Sequence, residues 1–194
     1  MVVKYILINK IINQKEISKK GNLSTAYINN IIRYLKNLDI VIKKSQFYYL
    51  NDPFKLLQLI SYERPFNGIK KTEIRLETDN IIDSENVVKK ICDNNKVKYS
   101  FTMFSGLKRY YEYHINYPIV HSYIEHMDII NKFPKGEGPI PIVFLEPDHK
   151  FILNDVESIN NFIICDKAQI LIDLFSSGIG KDSAYKFLNV MKNE

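Results

Sequence analysis

From Ser24 to Leu38 the chain reads STAYINNIIRYLKNL, and Ile28, Ile31, Ile32, Leu35 and Leu38 recur at the three- and four-residue spacing of one helical face. Such a helix must bury that stripe, so the segments around it have to supply a core. Ser24 stands where an N-cap belongs. Immediately downstream, IVIKKSQFYYL places two β-rich segments, residues 40–43 and 47–50, on either side of the polar tip Lys44, Ser45 and Gln46, which predicts a hairpin. Upstream, residues 4–13 carry Tyr5, Ile8, Ile11 and Ile12 at helical spacing and predict a first helix. A short second helix is expected over residues 15–20, ending at Gly21, a residue suited to a left-handed terminating position. After the hairpin, Asp52 as N-cap and Pro53 at the first helical position announce a fourth helix through FKLLQLISYER. Three helices, a hairpin and a helix are the order of a winged helix-turn-helix, expected over residues 1–64.

Charge divides the chain at the same place. Residues 1–70 hold 12 Lys or Arg against 4 Asp or Glu, a net +8, whereas residues 71–194 hold 15 against 18, a net −3. A basic unit followed by a slightly acidic one fits a polyanion-binding module joined to a second function. The stretch RPFNGIKK, with Pro65, Asn67 and Gly68, is expected to hold the boundary. Beyond it, residues 70–194 mix strand candidates (TEIRLET, KYSFTMF, PIVHSYIE, PIPIVFLE, NFIIC) with helix candidates. The helices are expected from DSENVVKKICDNN, SGLKRYYEY, DKAQILIDLFSSG (opened by Asp166 and closed by Gly178) and KDSAYKFLNVMKN. The expected fold is α+β, an N-terminal winged helix-turn-helix followed by a mixed α/β C-terminal domain.

In a helix-turn-helix the third helix turns its apolar stripe inward and meets the major groove with the opposite face. That leaves Thr25, Tyr27, Asn29, Asn30 and Arg33 outward, where Asn suits adenine and Arg suits guanine. Ser24 and Thr25, at the helix N-terminus, suit phosphate. Lys43 and Lys44 on the hairpin, with Lys15, Lys19 and Lys20 before the turn, suit flanking phosphates, which position without specifying. The expected partner is double-stranded DNA. A winged helix also serves as a protein-contact module, and this reading stays open beside the first.

Catalytic and metal-binding patterns are sparse. His121 and His126 are five residues apart, poorly placed for one helix face and on opposite sides of a strand, and His114 and His149 stand alone. No GxSxG, Walker-type loop, GxGxxG or HExxH occurs, and Ser105-Gly106 and Ser177-Gly178 sit beside no recognisable base. A nucleotidyltransferase would want Gly-Ser followed by paired acidic metal ligands, but Leu107, Lys108 and Arg109 follow Ser105-Gly106. Tyr110, Tyr111 and Tyr113 could stack on bases beside Lys108 and Arg109, although aromatics at such spacing more often serve packing. Cys92 and Cys165 are expected as free, buried thiols. No cofactor, metal or catalysis is expected. The apolar runs are too short to cross a bilayer and the first residues lack a signal-peptide pattern, so the expected location is cytoplasmic.

Taken in order, DPFKLLQLI, YSFTMFSGLKRYYEY and NFIICDKAQILIDLFSSGIGKDSAYKFL resemble the AbiEi-type antitoxin regulators of type IV toxin–antitoxin systems. The C-terminal stretch carries the resemblance best, through Gln169, Leu171, Asp173, Leu174, Gly178, Gly180, Ala184 and Leu188. Where those relatives have Thr-Gly after the central strand, Thr102 is followed here by Met103. The resemblance implies an N-terminal domain that binds the promoter of its own operon. It also implies a C-terminal domain that opposes a nucleotidyltransferase-like toxin, and no catalysis. Regulators without a toxin share the architecture. A nucleotidyltransferase-like enzyme domain delivered by the winged helix is the principal rival.

Overall fold

The computed structural model describes residues 1–9, 11–111 and 117–193. The chain divides into two compact units, Met1–Arg64 and Pro65–Glu194. The fold is α+β, with a six-stranded mixed sheet in the second unit.

The first unit runs α1 (Val2–Ile8), β1 (Ile11–Ile12), α2 (Gln14–Gly21), α3 (Thr25–Asn37), β2 (Val41–Lys44), β3 (Phe47–Leu50) and α4 (Pro53–Glu63). Its three strands form an antiparallel sheet in the order β1-β3-β2. The Ser24 hydroxyl accepts from the Tyr27 amide at 3.2 Å and opens α3, whose Ile28, Ile32 and Leu35 are buried. Asp39 closes it in the left-handed conformation (φ 56°). The Ile40 amide then donates to Leu35 O and the Asp39 amide to Lys36 O, each at 3.0 Å. This Schellman closure swings the chain from the helix axis into β2. It also explains why the inward stripe is narrower than the five-residue pattern. Leu38 lies past the helix and is 39% exposed, and Ile31, on the flank, is only half-buried.

Two expectations for this unit are corrected. The helix expected over residues 4–13 stops at Ile8, because Asn9 turns extended (φ −99°, ψ 130°) and its amide side chain donates back to Tyr5 O at 2.8 Å. Ile11 and Ile12 instead pair with Tyr49 and Tyr48 as β1, one exposed and one buried, with the two-residue period of a strand. Lys10 lies outside the described residues. The left-handed residue after α2 is Asn22 (φ 48°, ψ 44°), while Gly21 stays helical. A Cβ on Gly21 would run into the Met1 side chain, so that glycine supplies room.

The second unit runs β4 (Lys71–Arg75), α5 (Ile81–Asn94), β5 (Tyr99–Phe101), α6 (Met103–Tyr110), β6 (Val120–Ile124), β7 (Pro141–Leu145), α7 (Phe151–Asn154), β8 (Val156–Ile159), β9 (Phe162–Cys165), α8 (Lys167–Ser176) and α9 (Lys181–Asn193). The sheet order is β4-β7-β6-β5-β9-β8, with β6/β7 and β5/β9 parallel and the other neighbours antiparallel. The stretch expected as a boundary begins this unit, with Phe66 and Ile69 buried. Residues 168–175 of α8 are all buried, and α8 packs against α6 and α9. At its centre the Asp173 carboxylate accepts from Thr102 Oγ1 at 2.6 Å, Gln169 Nε2 at 2.9 Å and Tyr123 OH at 3.0 Å. One buried carboxyl thereby ties α8 to β6 and to the end of β5.

The strand expected in KYSFTMF ends at Phe101. Met103 adopts φ 53° and starts α6, two residues ahead of the expected helix and ending at Tyr110. α5 begins at Ile81 behind the N-cap Asn80, whose side chain accepts from the Asp83 amide at 2.9 Å, rather than at Asp83 itself. β8 was not anticipated. It forms a hairpin with β9 across Asn160 and Asn161, both left-handed (φ 49° and 65°), the geometry of a type I′ turn.

His121 on β6 is 4% exposed, and its Nδ1 has no hydrogen-bond partner among the described residues. Burial, with a smaller contribution from Lys71, pushes its pKa down from 6.5 to about 4.

Two tests follow from this packing. Ile32→Ala should cost about 2–5 kcal/mol through a lost buried side chain, and Ile31→Ala distinctly less, in chemical denaturation. Between pH 6.5 and about 4 the unfolded chain takes up a proton that folded His121 refuses, so stability is complete above that window and falls as pH drops through it. The slope is at most about 1.4 kcal/mol per pH unit, and His121→Gln should flatten it in denaturant titrations at successive pH values.

Candidate nucleic-acid interface

The face of α3 opposite Ile28, Ile32 and Leu35 is wet throughout. Asn30, Arg33 and Asn37, spaced three and four apart, hold its centre, with Asn29 and Thr25 on one flank and Tyr27 and Tyr34 on the other. Arg33 Nη2 donates to Asn30 Oδ1 at 2.9 Å, so the two polar heads already lie side by side. Tyr27 and Tyr34 are each about half exposed. The structure thus brings Tyr27, Asn29, Asn30 and Arg33 together as expected from periodicity. It adds Tyr34 and Asn37, which the same periodicity already marked.

Ser24 has a structural task, since its hydroxyl oxygen is taken by the Tyr27 amide. A phosphate at this end of α3 would meet the Ser24 O–H and Thr25 together with the first amides of the helix. The hairpin lysines part company. Consecutive strand residues face opposite sides, so Lys43 lies beside Tyr48, 5.8 Å from its ring centre, and Lys44 beside Tyr49 at 5.9 Å. Both are exposed, but they cannot serve one phosphate. Of the three lysines on α2, Lys20 is committed: it pairs with Glu16 at 2.9 Å and lies 5.6 Å from the Tyr5 ring centre. The Lys20 and Tyr5 hydrogen bonds hold the Glu16 carboxyl below its ordinary range. In turn, burial and Glu16 push the Tyr5 phenol up to about 12. Lys15 and Lys19 remain exposed.

The residues considered for catalysis sit differently. The His121 backbone amide donates to Ser105 Oγ at 3.2 Å, so the two meet through the main chain, with Ser105 2% exposed. Ser177 Oγ donates to Leu174 O at 2.8 Å at the end of α8. Among the described residues no group of three or more His, Cys, Asp or Glu is placed to hold a metal ion. Cys92 and Cys165 are free and buried. Tyr110 donates to Cys165 O at 3.0 Å; Tyr113 and His114 lie outside the described residues. No described helix is long and apolar enough to cross a membrane. No protein-family model, curated protein or solved structure matches the chain.

Holding and reading separate cleanly on α3. Ser24→Ala should lose about 0.5–2 kcal/mol of stability with the cap, whereas Arg33→Ala, fully on the wet face, should stay within about 0.5 kcal/mol in urea unfolding.

Proposed function

We propose that the protein is a sequence-specific DNA-binding transcription regulator whose first unit acts as a winged helix-turn-helix. In this reading α3 enters the major groove and the β2–β3 hairpin is the wing. The observation that carries it is the outer face of α3, where Asn30 and Arg33 form a ready pair of base-reading heads and Asn29 and Asn37 flank them. That helix belongs to the strongly basic part of the chain, where 12 Lys or Arg stand against 4 Asp or Glu over residues 1–70. Arg33 reads guanine, Asn30 or Asn29 reads adenine, and Thr25, Lys44 and Lys19 meet phosphates. The work is done in the cytoplasm, without a cofactor and without catalysis. The resemblance to AbiEi-type regulators extends the proposal: the promoter is that of the chain's own operon, and the second unit opposes a nucleotidyltransferase-like toxin.

A protein-contact reading draws on one observation, the partly exposed row Tyr27, Ile31, Tyr34 and Leu38 along the edge of the same helix. Salt distinguishes the two. DNA binding weakens with a log-log slope of about −0.9 per neutralised phosphate, and an apolar protein contact does not.

Binding of the full chain to duplexes selected from a random pool, followed by fluorescence anisotropy, tests the assignment. Arg33→Ala should cost about 1–3 kcal/mol on the selected sequence and little on random DNA, and Lys44→Ala should weaken all sequences alike and flatten the salt slope by about one. If folded Arg33→Ala and Lys44→Ala proteins bind as tightly as the parent, α3 and the wing are not the DNA surface.

A further inference from the structure

A second site, independent of α3, lies in the unit Pro65–Glu194. Glu85 on α5 is completely buried. Its Oε1 meets Lys108 Nζ at 2.6 Å and its Oε2 meets Arg109 Nη2 at 2.7 Å, both cations coming from the end of α6. The Arg109 guanidinium also lies 4.0 Å from the centre of the Phe162 ring, which fixes its plane. The trio carries two cations and one carboxylate, and a further acid, Glu157, is hydrogen-bonded to Tyr110 beside it. Burying such a trio is no gain over an apolar trio of the same volume, so stability alone does not account for it.

The cations border a cleft of about 300 Å³ lined by Ile82, Lys108, Arg109, Tyr110, Tyr111 and Asn160. Each contributes a distinct chemistry. Lys108 is about one-third exposed, and its ammonium is ion-paired with Glu85 while keeping N–H groups that a ligand could reach. The buried Arg109 Nε–H has no hydrogen-bond partner among the described residues. Asn160, on the exposed β8–β9 turn, offers an amide that both donates and accepts. Tyr111 contributes aromatic surface, whereas the Tyr110 ring is taken up by Phe187 at 6.0 Å and Lys167 at 5.8 Å, and the volume sits at the small end of ligand pockets.

We propose that this cleft binds a nucleoside monophosphate, with the phosphate on Lys108 and the planar base against Tyr111 within reach of Asn160. A partly exposed ammonium matches a phosphate, and aromatic surface beside an amide matches a heteroaromatic ring with a hydrogen-bonding edge. Glu85 is a positioning residue, holding both cations at the cleft wall.

Calorimetric titration of the full chain with the four 5′-ribonucleoside monophosphates, their nucleosides and inorganic phosphate tests this. At least one monophosphate should bind with Kd below about 1 mM, and its nucleoside and phosphate alone at least about tenfold more weakly. Lys108→Gln should weaken the monophosphate by about tenfold or more at a temperature where its melting curve shows it folded. Asn160→Gly, which keeps the left-handed turn, should weaken it as well and carries the test should Lys108→Gln fail to fold. The proposal is overturned by absence of heat with every monophosphate, by phosphate alone binding as tightly, or by parental affinity in the folded variants. DNA plays no part in the measurement, so its outcome is separate from that of the α3 assignment.

Discussion

The second unit depends on one carboxylate. Asp173 is fully buried in α8, and three side chains from different parts of the fold converge on it: Thr102 after β5, Tyr123 on β6 and Gln169 one turn earlier. A polar group in such surroundings is tolerable only when its lone pairs are satisfied, so its position fixes theirs. Thr102 in turn is pinned to β6 through its amide, which donates to His121 O at 3.1 Å, and it is followed at once by the left-handed Met103. The abrupt change from strand to helix at this point follows from two demands on adjacent residues. Thr102 must reach Asp173, and α6 must start in the next residue.

Met103 also shows the limit of reading propensity from sequence. A left-handed position calls for glycine. Here a buried methionine occupies it, and the surrounding bonds hold the conformation. Nothing local announces that, so the strand was expected to run on. The start of β8 was hidden for another reason, because VESI lacks a strong apolar alternation. Its turn was legible all the same: Asn160-Asn161 before FIIC is hairpin chemistry. Conversely, the caps at Ser24, Asp52 and Asp166 were readable because a side-chain oxygen ahead of an apolar run has few other uses.

The candidate interface was legible where it rests on a period and obscure where it rests on pairing. The helical period separates Ile28, Ile32 and Leu35 from Asn30 and Arg33, and the same period contained Asn37 and Tyr34. No period tells that Lys20 is spent on Glu16, or which tyrosines Lys43 and Lys44 lie beside, which depends on register. The cleft in the second unit was visible only in fragments. Lys108, Arg109, Tyr110 and Tyr111 are consecutive, but Glu85 and Asn160, which turn them into a wall, come from far along the chain.

The Schellman closure at Asp39 has a consequence for how such a surface changes over generations. The direction in which the hairpin leaves α3 is set by main-chain bonds from Ile40 and Asp39 to Leu35 and Lys36, and the packing is set by the inward stripe. None of the residues at the centre of the outer face takes part in either. Substitutions at Asn30, Arg33 or Asn37 can therefore accumulate and alter what the helix contacts while the scaffold beneath them is inherited unchanged. The outer face can change by single steps, each passing through a folded protein.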